Sequence, residues 1–351
     1  MKRLMCILLF LLLLCGCTAA PSTEQTTAPE NTSTAPTETR APEKVVGICL
    51  PERSEHWQIV AEGLQQALAQ YYYGVQVAYA ENNVDRQAEQ IQQLVSEKAD
   101  CLIVAPVDGS LLTEPVSVAK QAGIPVVAYE KLITDTDGVS AFVGFDYRKL
   151  GQDMGAYIDE KLGLNVAIDY GESYSIEFFM GSPEDNNALQ LHLGLMDVLR
   201  QYLDNGTLVC RSGRFEFEDC CVIGWDVEAA KTRFDDVMKA LYPQEMPDVI
   251  CTATDVFATA CVDKLIVMPD RPEGWPLVTG IGGEFEVQER IIEALQDWSA
   301  LLDWESLAAP TAEIVHALLR GDQVPGNSPE GCNNRVVTVP AWFGTAEIFI
   351  P

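Results

Sequence analysis

The sequence predicts an α/β chain built as two similar halves on parallel sheets. Three observations carry this. From Val45 onward, short apolar runs alternate with amphipathic helical patterns at the spacing of βαβ units. The same rhythm restarts after Asp146. The turn Gly181-Ser182-Pro183-Glu184-Asp185-Asn186-Asn187-Ala188 separates the apolar run 176–180 from a helical stripe of Leu189, Leu193 and Met196. It thus lies where a strand ends and a helix begins, and ligands of open α/β sheets bind at such places. Its paired amides and carboxylates suit a ligand made of hydroxyls, because they both donate and accept. Helix capping by Asp185 and Asn186 explains the same residues without a ligand.

Taken in order, residues 45–50 read as a buried strand and Ser54 as the cap of a helix whose apolar face is Val60, Leu64, Ala67, Leu68 and Tyr71. Val75, Val77 and Tyr79 alternate as a second strand. A helix carrying Ile91, Leu94 and Val95, a strand at 101–105, a helix with Pro115 in its first turn and a strand at 124–129 complete the first half. In the second half a helix at 148–162 precedes an acidic, glycine-containing insert at 163–175. A strand (176–180), a helix (185–203) and a strand (208–210) follow. Next comes an amphipathic helix bearing Ala230, Phe234, Val237, Met238 and Leu241. Strand 248–252, helix 256–267, strand 277–279 and helix 285–295 end the half.

The chain has 351 residues, enough for two lobes, and 48% of them are hydrophobic. With 52 acidic and 23 basic residues its formal charge is −29, which argues against nucleic acid and against docking on anionic lipid by charge. Lys2-Arg3 precede an apolar run at 4–14, the length of a signal-peptide core and too short to span a bilayer. The run ends in Leu14-Cys15-Gly16-Cys17, which resembles a bacterial lipobox. Residues 1–17 are therefore expected to be a lipoprotein signal peptide with Cys17 as the lipidated residue. Residues 18–43 are Thr, Ser, Pro, Ala and Glu without periodicity and are expected to be a disordered tether. Of the eleven cysteines, Cys49, Cys101 and Cys251 lie in apolar runs and read as packing residues. Cys210, Cys220, Cys221, Cys261 and Cys332 leave a disulfide and free thiols equally open. Neither zinc spacing nor a nucleophile–His–acid set appears, so no catalytic residue, metal or cofactor is assigned.

Four segments fall in a familiar order: Leu50-Pro51 with His56-Trp57, Ala128-Tyr129-Glu130-Lys131-Leu132-Ile133, the 181–188 turn, and Gly224-Trp225-Asp226. In them the chain resembles bacterial sugar-binding proteins of ABC importers, nearest the xylose-binding and multiple-sugar-binding receptors of the galactose/ribose-binding group, across residues 44–350. The resemblance implies a periplasmic-binding-protein type I fold: two Rossmann-like lobes with parallel sheets, joined by a three-strand hinge and closing on a ligand. Crossings are expected near Asp146, Asp303 and Val337. That divides the body into residues 44–145 plus 304–334, and 147–302 plus 338–351. The implied ligand set is Trp57 and Trp225 flanking a sugar ring, with His56, Glu130, Lys131, Asn186, Asn187, Asp255 and Asp303 around it. For Asp255, N-capping is an equal alternative, and for each of the two tryptophans a place in the core or on the surface is the alternative.

The chain departs from this pattern at His56, at Ile281-Gly282 and at Asp303, and Lys131 lacks the planar fork of the family's Arg. Asp255 and Asp303 are then left without a matching cation unless His56 is protonated. Neutral sugars are therefore expected to bind weakly, and a ligand with a positive group would relieve the charge. The expected protein is a monomeric, lipid-anchored, non-enzymatic receptor on the extracytoplasmic face of the cell membrane. Its expected partners are a monosaccharide or polyol and an ABC permease or membrane sensor. The alternative is a lipoprotein that keeps the fold with a degenerate site and serves as an interaction module.

Overall fold

The computed structural model describes residues 44–268 and 274–351. Cys17 and the 18–43 segment lie outside these residues.

The first lobe runs β1 (Val45–Leu50), α1 (Glu55–Ala69), β2 (Gly74–Tyr79), α2 (Val84–Ser96), β3 (Cys101–Val104), α3 (Thr113–Gln121), β4 (Val126–Glu130) and β5 (Val139–Gly144). The strands lie in the order β2-β1-β3-β4-β5, all parallel. Helices cover both faces, so β3 and β4 are buried throughout and read as unbroken apolar runs rather than alternating ones. Ser54 caps α1 by accepting from the Trp57 N–H, and Trp57, Val60, Leu64 and Leu68 face the core.

The second lobe runs α4 (Tyr147–Leu162), α5 (Leu164–Tyr170), β6 (Tyr174–Phe179), α6 (Asn186–Asn205), β7 (Leu208–Val209), α7 (Phe217–Cys220), α8 (Val227–Leu241), β8 (Val249–Thr252), α9 (Asp255–Ile266), β9 (Leu277–Thr279), α10 (Phe285–Ile292) and β10 (Ser299–Leu302). Its parallel sheet has the order β7-β6-β8-β9. The insert expected at 163–175 holds a short helix, because Gly163 and Gly171, both left-handed, bracket α5. Helices α4 and α6 pack backbone to backbone. A Cβ at Gly151 would overlap the Leu191 carbonyl, and one at Gly194 the Arg148 carbonyl. The N-terminus of α6 is thereby fixed relative to the start of α4.

The chain then re-enters the first lobe as α11 (Ala308–Arg320), a hairpin of β11 (Cys332–Asn333) and β12 (Thr338–Val339), and β13 (Ala341–Phe343) beside β5. It ends in the second lobe as β14 (Ala346–Phe349), antiparallel to β10. The third crossing is therefore at Gly344–Thr345 and not near Val337. Residues 338–343 stay with the first lobe because β13 completes its sheet edge, with Phe343 edge-on to Phe142. The crossings touch: Gly344 N–H donates to Gly144 O at 2.8 Å and Asp303 N–H to Thr345 O at 3.0 Å. All eight described cysteines are free, Cys210, Cys220, Cys221, Cys261 and Cys332 among them.

Candidate functional site

The turn at 181–185 organises the second lobe's face of the cleft. A Cβ on Gly181 would overlap the Trp225 indole, so the glycine is what lets Trp225 close down on the end of β6. Ser182 Oγ accepts the Gly224 N–H at 2.7 Å and donates to Glu184 at 2.6 Å, tying the turn to the Trp225 loop. Asp185 caps α6 by accepting the Asn187 N–H at 2.9 Å. The acid is thus a helix cap, and its other oxygen, Oδ2, lies 3.1 Å from Lys131 Nζ of the first lobe.

Strand β4 ends at Glu130 with φ 65°, a sharp turn that sends Glu130 and Lys131 into the interlobe space. Asn187 Nδ2 donates across the cleft to the Glu130 carbonyl at 3.2 Å and to its carboxylate at 3.4 Å. Burial pushes the Glu130 carboxyl up to about 7; Lys131 opposes the shift and Asp185 adds to it. Burial also disfavours the Lys131 charge, but the Glu130 and Asp185 carboxylates outweigh it and raise its pKa. Burial likewise raises the Tyr147 phenol beside them.

These groups surround a cavity of about 300 Å³. Trp225 and Trp304 form apolar walls, while Glu130, Lys131, Tyr147, Asp185, Asn187 and Glu284 supply polar edges. Trp225 is backed by Phe257, stacked at 5.9 Å, and Trp304 by His56 and Phe145, each edge-on at 4.8 Å. Indole faces with donors and acceptors between them suit a flat, hydroxylated ring.

Four expected residues lie elsewhere. Trp57 is 8% exposed and packed in the first-lobe core, on the face of α1 that its spacing with Val60 and Leu64 dictates. Trp304 is the wall in its place. His56 stands behind Trp304 and lines a separate cavity between α1 and α11. Burial lowers its pKa, and it does not line the central cavity. Asp255 points into its own lobe, where its carboxylate accepts from Gln296, Ser299 and Gly283 N–H, each at 2.6 Å. Asp303 is an exposed hinge cap that accepts the Ser306 N–H at 3.1 Å and the Thr345 hydroxyl at 3.4 Å. Neither acid needs a ligand's positive charge, so the reason to expect weak binding of neutral sugars is gone. Asn186 lines the cavities flanking the central one. Sequence reasoning missed Trp304 and Tyr147; the signal was their place immediately after the crossings at Asp303 and Asp146. Among the described residues no three His, Cys, Asp or Glu side chains are arranged to hold a metal ion.

A family profile described as a periplasmic binding protein domain matches residues 46–323. The chain belongs to this family. Within it, the chain is similar to the multiple sugar-binding periplasmic protein SbpA of Azospirillum brasilense, with 30% identity over 85% of this chain and 83% of that protein. It is also similar to the D-xylose-binding periplasmic protein of Escherichia coli, with 26% identity over 86% of this chain and 85% of that one. Among solved structures, an ABC transporter solute-binding protein from Clostridium phytofermentans with bound β-D-glucose superposes with a TM-score of 0.78. The two are 30% identical, over 88% of this chain and 94% of that one. The chain is a periplasmic binding protein domain with the two-lobed α/β fold, and a binder rather than an enzyme. No helix among its described residues is long and apolar enough to cross a membrane.

Proposed function

We propose that this chain is a lipid-anchored, extracytoplasmic solute receptor. It captures a monosaccharide or related polyol between its lobes and delivers it to an ABC importer or membrane sensor. The observation that carries this reading is the 300 Å³ interlobe cavity, where Trp225, Asp185 and Asn187 of one lobe meet Glu130 and Lys131 of the other, with Trp304 at the hinge. A ligand touching both lobes stabilises their closed arrangement. The sugars named for its relatives support a sugar-sized, hydroxyl-rich ligand here. The Leu14-Cys15-Gly16-Cys17 ending supports the anchor, with Cys17 as acceptor.

A thermal-shift screen of the full-length chain against hexoses, pentoses and inositols tests the binding half. A sugar that binds the folded state raises the melting temperature in proportion to its concentration over its Kd. A panel without any shift would favour the alternative, an interaction module with a degenerate site. Labelling with a radioactive fatty acid tests the anchor: label is expected on the native chain and absent after Cys17→Ala.

A further inference from the structure

The central cavity has a neighbour. Lys131, Asp185 and Trp225 also line a second interlobe cavity of about 420 Å³, called the outer cavity below, so the same three side chains stand between the two. The central cavity alone is at the small end of the range of about 300–1,000 Å³ for ligand pockets. The outer one is lined mainly by polar and charged side chains and glycines, Ser110, Thr134, Asn186, Glu184, Arg335 and Gly109 among them. Thr134 and the half-buried Asn186 both line this cavity, and neither the Thr134 hydroxyl nor the Asn186 side-chain amide is among the buried polar atoms closed off from it. A hydroxyl and an amide open to a cavity are free to bond a polyhydroxylated ligand there. Of the consecutive residues at the start of α6, Asn187 lines the inner cavity and Asn186 the outer, while both also line a third cavity.

We infer that the outer cavity is a second sugar subsite, so that a glycosidically linked disaccharide or larger glycoside binds more tightly than the free monosaccharide that the inner cavity holds alone. The first ring sits between Trp225 and Trp304. The glycosidic link passes the Lys131–Asp185 pair, and the second ring takes hydrogen bonds from Thr134 and Asn186. The inference rests on the sugar-binding reading above and specifies its substrate class.

Calorimetric titration of the full-length chain with glucose, cellobiose and maltose, and with xylose and xylobiose, separates the two. At least one disaccharide should bind ten-fold or more tightly than its own monosaccharide. Thr134→Val, which keeps the shape and removes the hydroxyl, should weaken that disaccharide about five-fold. Ser110→Trp, at an exposed position, should fill the outer cavity and reduce the disaccharide to the monosaccharide's affinity. Both variants should leave monosaccharide affinity unchanged, which also reports correct folding. Monosaccharides binding as tightly as every disaccharide would overturn the inference and leave the sugar reading standing. A disaccharide preference indifferent to both substitutions would overturn the placement. No binding of any of the five sugars would remove the sugar reading and the inference together.

Discussion

Lys131 Nζ, just beyond the end of strand β4 in the first lobe, lies 3.1 Å from Oδ2 of Asp185, the cap of helix α6 in the second. This ion pair bridges the cleft, and the Asn187–Glu130 hydrogen bonds run parallel to it. Asp185 is 7% exposed on its side chain and Lys131 33%, so the acid depends on the base more than the reverse. Lys131→Met strands a buried carboxylate and is expected to cost about 3 kcal/mol in urea unfolding. Adding Asp185→Asn should recover most of that, since the amide oxygen still caps Asn187. Equal losses in the single and double variants would show that the pair is not what couples the lobes.

Glu130 makes stability pH-dependent in the direction opposite to most carboxylates. Its ordinary value is 4.5, and in the folded protein it is about 7. The folded state therefore binds more protons than the unfolded state between these values. The stabilisation is complete below pH 4.5 and is lost as pH rises through 7, on the order of 3 kcal/mol across the window. Asp255 and Asp297, also raised by burial, act in the same sense, so the contribution is isolated by difference. Unfolding free energies at pH 5.5 and 7.5 should differ less in Glu130→Gln than in the native chain. An identical pH slope in both would contradict the assignment.

The two tryptophans next to His56 should behave differently. Trp57→Ala empties part of the first-lobe core and is expected to destabilise by about 3–5 kcal/mol. Trp304→Ala removes a cavity wall and should weaken sugar binding about ten-fold, with a smaller effect on unfolding. Reversed results would restore Trp57 as the ring's partner.

The second-lobe floor is closed by its own side chains. Asp255 accepts three hydrogen bonds, so Asp255→Asn turns a donor toward another donor and is expected to cost about 2 kcal/mol in thermal or urea melts. Gly282→Asp should not open a ligand contact. A Cβ there lies 2.8 Å from Asp255 Oδ2, and a second carboxylate would face the first. The variant should lose stability without gaining sugar affinity.

What the sequence revealed follows from where the information lies. Strands β3 and β4 were legible because parallel strands covered on both faces are apolar throughout. The 181–188 turn was legible because glycine, serine and the asparagines act locally at a strand–helix junction. Strands β10, β13 and β14 were not, because each is only three or four residues long and is completed by partners remote in the chain. The side chains of Asp255 and Trp57 show the same limit at the site. Whether Asp255 faces a ligand or its own lobe is decided by Gln296 and Ser299, 41 and 44 residues away. For Trp57 the spacing with Val60 and Leu64 on α1 is what places it on the buried face.

The central claim, that a sugar is held between the lobes, is tested most directly by titration calorimetry of the full-length chain with D-glucose and D-xylose at pH 7. The account predicts one saturable site per chain for at least one of them, weakened ten-fold or more by Trp225→Ala. Heats indistinguishable from dilution for both sugars, in a chain shown by its melting transition to be folded, would contradict it.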